Sequence, residues 1–258
     1  MSVRQQYDEI GEAFEGFKSL PLARYGEVPS FLSLVGDVRG KTVLDLASGT
    51  GFYSRELKRR GAAEVFGVDI SGEMVAAARA FEEAEPLGLR YAVGDVAELG
   101  DLERKYDLAL GVQLLNYAPD VAAMERMCRG VHRNLVPGGE FLVLCQSPDF
   151  RFDGPSLAKY GFLCEATGEE IETGPRVRIT ALLDPPISFV GAAPRREVYE
   201  HALRAAGFRR LEWVPLEVSE AGRRAHPAGF WDDLAANPPL ELLRCRAAGG
   251  EGGEGRED

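Results

Sequence analysis

The chain has little of what staples or metallates a small fold. Its 258 residues hold four cysteines, Cys128, Cys145, Cys164 and Cys245, and no two are spaced C-x-x-C. A disulfide framework is therefore not implied, and neither is a zinc or other metal site. Cys128 and Cys145 sit in apolar patterns and read as core thiols. No apolar run approaches the ~18 residues of a membrane helix, and no basic-then-apolar leader opens the sequence. A cytoplasmic protein with no membrane partner is expected. Lysine is scarce, 5 residues against 25 arginines. The formal net charge is −11, of which the last ten residues carry −3. The remaining negative charge weighs against nucleic acid as a partner, because phosphate binding leans on basic patches. The arginine pairs 195–196, 209–210 and 223–224 are scattered and read as solvated faces.

What is present is an alternation. With 45% apolar residues the chain can bury a full core. Strands are expected at 41–46, 64–69, 88–93, 106–112 and 140–146, with helices at 52–60, 72–84 and 120–135 between them. Helical patterns of this length between strands imply parallel βαβ units and a doubly wound α/β sheet. Residues 1–38 carry helical patterns and can fold over the carboxyl edge of that sheet as a lid, ahead of a core at 39–146. Residues 147–193, rich in glycine, proline and charge, read as an inserted cap with short antiparallel strands at 170–173, 177–182 and 187–190. Residues 194–247 complete the sheet through a helix and two closing strands, 208–218 and 240–246, with no helix pattern between them. Residues 248–258 are expected to be a disordered tail.

The most informative stretch is Val43-Leu44-Asp45-Leu46-Ala47-Ser48-Gly49-Thr50-Gly51. It reads as a buried strand that ends in an acidic residue and runs through a glycine turn into a helix, the unit that brings backbone close to an adenosine-bearing cofactor. A dinucleotide would set its pyrophosphate on that turn, where Asp45 would repel it. S-adenosylmethionine carries an ammonium and a sulfonium and no phosphate, so a carboxylate suits it. Ser54 stands where the third glycine of G-x-G-x-x-G would fall. Asp69 ends the second strand, placed to accept from both ribose hydroxyls. Asp95 ends the third, placed for the adenine amino group, and Ile70 offers an apolar face to the ring. Strand-end aspartates also cap the helices that follow, but three ending successive strands are hard to assign to capping. A side chain at Gly51 would intrude where backbone must meet the cofactor, so Gly51→Val is expected to stay folded and lose binding.

These residues, with Val68-Asp69-Ile70-Ser71, Gly94-Asp95-Val96 and Leu135-Val136-Pro137-Gly138-Gly139-Glu140, resemble the class I S-adenosylmethionine-dependent methyltransferases over roughly residues 40–146. Tyr7-Asp8-Glu9-Ile10-Gly11, Leu22-Ala23-Arg24-Tyr25, Leu114-Leu115-Asn116-Tyr117-Ala118 and Lys159-Tyr160-Gly161-Phe162 resemble small-molecule methyltransferases of natural-product pathways. The resemblance implies a seven-stranded Rossmann-like sheet with a closing antiparallel hairpin. It implies S-adenosyl-L-methionine as cofactor, contacted by Asp45, Ala47, Ser48, Gly49, Gly51, Asp69, Ile70, Met74, Asp95, Val96 and Gln113. Tyr7 and Tyr25 would close over its methionyl carboxylate, or simply glue the lid to the domain; Arg24 would pair with that carboxylate or sit at the surface. Asn116 and Tyr117 would face the substrate.

Methyl transfer from a sulfonium needs alignment and dryness, and a general base only where the nucleophile must first lose a proton. The pattern therefore identifies a cofactor site better than a catalytic residue; Tyr7, Tyr117 and His226 are the candidates. His132 and His201 lie in helices away from the cofactor edge. Phe150, Tyr160 and Trp231, with Phe152 and Phe230, suggest either an aromatic pocket for a planar metabolite or cap packing. Removing residues 1–28 is expected to spare the core. The protein is expected to be a monomer or homodimer. Competing readings are an NAD(P)-dependent oxidoreductase, a non-catalytic cofactor sensor, and a methyltransferase of tRNA or protein.

Overall fold

The computed structural model describes residues 2–248, apart from the side chains of residues 11–14; most of the acidic tail expected at 248–258 lies outside the described residues. Seven strands form one sheet in the order β3-β2-β1-β4-β5-β10-β9. They are β1 (Thr42–Leu46), β2 (Glu64–Asp69), β3 (Arg90–Val93), β4 (Tyr106–Val112), β5 (Leu135–Gln146), β9 (Phe208–Pro215) and β10 (Leu240–Ala247). The pairings β1–β2, β2–β3, β1–β4 and β4–β5 are parallel, whereas β10 runs antiparallel to both β5 and β9. The chain winds outward from β1 to β3 and then returns to β4. That reversal makes the carboxyl ends of β1 and β4 the switch point where such sheets bind ligands.

Alternate residues of each strand face opposite sides, and both sides are covered. Val43, Val65, Leu108, Leu110, Leu142 and Leu144 join one apolar core, with Phe31 and Tyr53. Leu44, Leu46, Ala109, Phe141, Val143 and Cys145 join the other, with helices α5 (Val121–Arg133) and α6 (Arg196–Ala206). α3 (Phe52–Arg59) starts after Gly51 without a side-chain cap, whereas α4 (Gly72–Ala84) and α5 start on one: Ser71 accepts from Met74 N, and Asp120 from Ala123 N. α6 stops at Gly207 in the left-handed region, with φ of 107°.

Sequence and structure differ at several places, among them the end of the third strand, which is Val93 and not Asp95. Pro137-Gly138-Gly139 does not precede β5 but bulges out within it, between the pairs Tyr106–Leu135 and Leu108–Glu140. The inserted sheet is longer than expected, with β6 (Phe162–Ile171), β7 (Gly174–Ala181) and β8 (Ile187–Ala192) antiparallel in that order. Two short helices, α7 (Glu220–Ala225) and α8 (Asp232–Ala236), interrupt the link from β9 to β10, where no helix was expected. Each is too short to show an apolar period.

Ahead of the sheet come α1 (Val3–Ile10), tight helical turns at Gly11–Ser19, a wider helical segment at Ala23–Glu27, and α2 (Val28–Val35). Phe17 and Leu22 of this arm are buried in the same core as the sheet. Deleting residues 1–28 would therefore open that core, contrary to the expectation that it would be spared. No helix among the described residues is long and apolar enough to cross a membrane.

Candidate cofactor and acceptor cavity

The turn after β1 is built around two buried carboxylates. Asp45, 2% exposed, accepts from Ser54 Oγ over 2.6 Å. Burial lifts its carboxyl to about 6, against the pull of the Ser54 hydrogen bond. Asp69 accepts from Gly49 N (2.8 Å) through one oxygen and from Ser71 N (2.9 Å) through the other. Burial raises its pKa too. Asp95 accepts from Ala97 N over 2.8 Å and so does cap the turn at Val96–Glu98. Two residues here hold strained backbone: Ala47 and Gln113, which follow β1 and β4, have φ of 57° and 54°. Positive φ on residues other than glycine is costly and tends to cluster at functional sites.

The N-terminal arm is tied to this turn by its acids. Asp8 accepts from Ser71 Oγ over 2.5 Å. Glu15 accepts from Thr50 Oγ1 and pairs with Arg55, whose guanidinium also donates to Thr50 O over 2.6 Å. Glu27 pairs with Lys18 and accepts from Tyr53 OH over 3.0 Å, while the Lys18 ammonium lies 4.8 Å from the Tyr53 ring centre. Tyr7 OH meets Tyr117 OH at 2.5 Å. Burial raises the pKa of both phenols.

Between arm and sheet lies a cavity of about 550 Å³, within the usual range of small-molecule sites. Of the sequence-derived candidates, Tyr7, Asp45, Ala47, Ser48, Gly49, Asp69, Ile70, Met74, Asp95, Val96, Gln113 and Tyr117 line it. So do Lys18, Glu27, Thr50, Tyr53, Arg126, Met127 and Gln146, which the sequence reading did not single out. Leu157, Phe162, Cys164, Ile179, Phe189 and Leu240 give it an apolar chamber against the inserted sheet.

The remaining candidates lie elsewhere. Tyr25 packs edge-on against His226 and Trp231, and Arg24 is exposed beside it. Tyr160 stacks on Trp231 at 5.2 Å, donates its hydroxyl to Phe230 O (2.7 Å) and accepts from Leu234 N (3.1 Å). Trp231 Nε1 donates to Gly222 O, and His226 stacks on Phe230 at 4.0 Å. The polar ends of Tyr160 and Trp231 are thus taken up within a packing cluster that joins the insert to the β9–β10 link. Phe150 packs on Phe152. Asn116 is buried against Gly191 of β8. None of the three histidines lines the cavity.

Gly51 faces a protein side chain, contrary to the expectation that it faces the cofactor alone. Its φ is 82°, and a Cβ there would lie 2.8 Å from Tyr91 Cζ. The glycine is required by the neighbouring ring and the left-handed backbone, so Gly51→Val would not leave the fold intact.

These groups fit a nucleoside that carries positive charge. Three carboxylates (Asp45, Asp69, Asp95) share the wall, and Ser48 Oγ is buried there without a hydrogen-bond partner among the described residues. The pyrophosphate of a dinucleotide would meet Asp45 instead of a basic group. Among the described residues, no group of three or more His, Cys, Asp or Glu side chains could hold a metal ion.

Residues 43–139 match a family described as a methyltransferase domain. The ubiquinone biosynthesis O-methyltransferase of Coxiella burnetii (strain Dugway 5J108-111) is 29% identical over 114 residues, which are 44% of this chain and 47% of that protein. The chain thus spans about half the length of the curated relatives it matches. A solved S-adenosylmethionine-dependent methyltransferase from Mesorhizobium loti is 24% identical, with a TM-score of 0.61 over 89% of this chain and 99% of that one. The [4+2]-cyclase SpnF is 20% identical, with a TM-score of 0.62 over 96% of each chain. These likenesses show the fold: the sheet is the Rossmann-like sheet of class I S-adenosylmethionine-dependent methyltransferases, with its antiparallel close.

Proposed function

We propose that this chain is an S-adenosylmethionine-dependent methyltransferase whose acceptor is a small, apolar, planar metabolite of a biosynthetic pathway. The observation that carries the reading is the convergence of Asp45, Asp69 and Asp95 on one cavity wall around the strained Ala47–Gly51 turn. Asp69 and Asp95 would hold the nucleoside, with Ile70, Met74 and Val96 against its ring. Asp45, Ser48 and the Lys18–Glu27 pair would face the charged amino-acid end. Once bound, S-adenosylmethionine supplies an activated methyl group. The protein's part is to orient the acceptor, bring it into line and keep water out.

The arm closes one side of the cavity and the inserted sheet the other. Leu157, Phe162, Ile179 and Phe189 leave the acceptor end dry. No histidine reaches it, and both phenols resist ionisation at neutral pH. An acceptor that needs no strong base suits such a chamber: a ring nitrogen, an amine, or an acidic enol or phenol.

Incubation with S-adenosylmethionine labelled at the methyl carbon, against a panel of heterocycles and phenols, tests the proposal. Label should move to a small molecule and, with EDTA present, at an unchanged rate. Label moving only to tRNA or protein would overturn the acceptor class.

A further inference from the structure

Gln146 closes β5 with its hydrogen bonding incomplete. The residue is 4% exposed and lines the cavity. Among the described residues its Nε2 donates only to Cys164 Sγ, over 3.6 Å. A thiol is a poor acceptor, so this bond is readily exchanged for a better one. No hydrogen bond among the described residues reaches its Oε1, and that oxygen is not sealed off as an unsatisfied buried atom. The amide thus has one weakly held donor group and one free acceptor.

Its place is at the acceptor end. The sheet order sets β5 two strands from β1, on the side away from β2 and β3. At ~4.8 Å per strand, that is about 10 Å from the Asp45 strand. Its neighbours there are Leu240, its partner on β10, and Cys164 of the inserted sheet. A buried amide in apolar surroundings calls for a ligand that completes it.

Charge narrows the ligand further. Of the cations lining the cavity, Lys18 is committed to Glu27. Arg126 belongs to α5, which packs on the Val96–Glu98 turn beyond β3, and Arg4 is exposed. Among the described residues no cation bonds to the Gln146 side chain, so a carboxylate on the acceptor would meet no charge partner there, whereas a neutral group with one donor and one acceptor would match both ends of its amide.

We infer that Gln146 reads a neutral donor–acceptor edge on the methyl acceptor, a lactam or its hydroxy tautomer carried on an otherwise apolar ring. On binding, Nε2 leaves the Cys164 sulfur and donates to the lactam carbonyl while Oε1 accepts from its N–H; in the hydroxy tautomer the ring nitrogen accepts and the O–H donates. This rests on the methyltransferase reading, and the test keeps the two apart.

The full chain is first titrated with S-adenosylhomocysteine. The saturated protein is then titrated with isoquinolin-1-one and with naphthalene, rings of equal size, by ligand-observed NMR. Wild type should hold the lactam about tenfold more tightly, the scale of one added hydrogen bond. Gln146→Leu and Gln146→Met should both abolish that preference. Each should leave naphthalene within about twofold and S-adenosylhomocysteine affinity unchanged. Wild type without a lactam preference, or binding neither ring, overturns the inference, and so does a folded variant that keeps the preference. Absence of S-adenosylhomocysteine binding would overturn the methyltransferase reading together with it.

Discussion

Ser54 Oγ donates to Asp45 Oδ2 over 2.6 Å, with both side chains buried beneath the glycine turn. The serine occupies the position where a dinucleotide-binding turn would carry its third glycine. There it does what glycine could not, holding a carboxylate in place at the end of β1. Ser54→Ala should take the hydroxyl donor from that carboxylate, leaving it the Ser54 backbone N–H, and destabilise the fold by about 1–3 kcal/mol. It should also push the Asp45 carboxyl further up. Chemical denaturation and the pH dependence of cofactor affinity, compared with wild type, read both effects.

Asp45 predicts two pH trends of opposite sign. Its carboxyl is raised from 3.8 to about 6 in the fold. Between those values the folded state holds the extra proton, so its share of stability falls as pH rises through that window, by about 3 kcal/mol in all. Cofactor affinity should run the other way, because the cationic ligand prefers the ionised acid. Going from pH 7 to pH 5 should weaken S-adenosylmethionine binding about tenfold through this group. Asp45→Asn should remove its share of both trends, leaving the one from Asp69, whose pKa burial also raises. A variant whose profile overlays wild type would remove Asp45 from the account.

Gly51→Ala should cost stability before it costs chemistry. The residue sits at φ of 82°, with the Tyr91 ring where a Cβ would go. Left-handed backbone costs about 1–2 kcal/mol and overpacking about 1–3 kcal/mol. Differential scanning calorimetry should show a melting point lowered by several degrees. Tyr91→Ala in the same chain should recover part of the loss, and no recovery would exonerate the ring.

Tyr7 and Tyr117 share one hydroxyl contact across the seam between arm and sheet. Both pKa values are raised by burial, so neither should serve as a base near neutrality. Tyr7→Phe and Tyr117→Phe should lower turnover by less than about tenfold and keep the shape of the pH–rate profile from 6 to 9. Disappearance of a basic limb in either variant would instead make that phenol the base.

The parts of the fold that repeat were legible in the sequence. Residues 42–112 alternate buried strands with amphipathic helices, and Asp45, Asp69 and Asp95 each fall at or near a strand end, so period and position together pointed to the wall they share. Gln146 ends β5 in the same way and could have been found by the same rule. Lys18 and Glu27 could not, because they sit on irregular helical segments whose pairing depends on how the arm folds back. Tyr160, Phe230 and Trp231 misled for a related reason. Aromatic residues suit a pocket and a packing cluster equally, and only the hydrogen bonds to Phe230 O and Gly222 O reveal which one these form.

The central claim is that strand-end carboxylates bind the cofactor, and calorimetric titration of wild type and Asp69→Ala with S-adenosylhomocysteine tests it most directly. The Asp69 carboxylate also holds the Gly49 and Ser71 amides, so melting is measured alongside. Wild type should bind saturably at one site, and Asp69→Ala should weaken binding by about 1.5–3 kcal/mol, the scale of hydrogen bonds to a charged group. Unchanged affinity in a folded Asp69→Ala, or wild-type binding of NADH in preference to S-adenosylhomocysteine, would contradict the account.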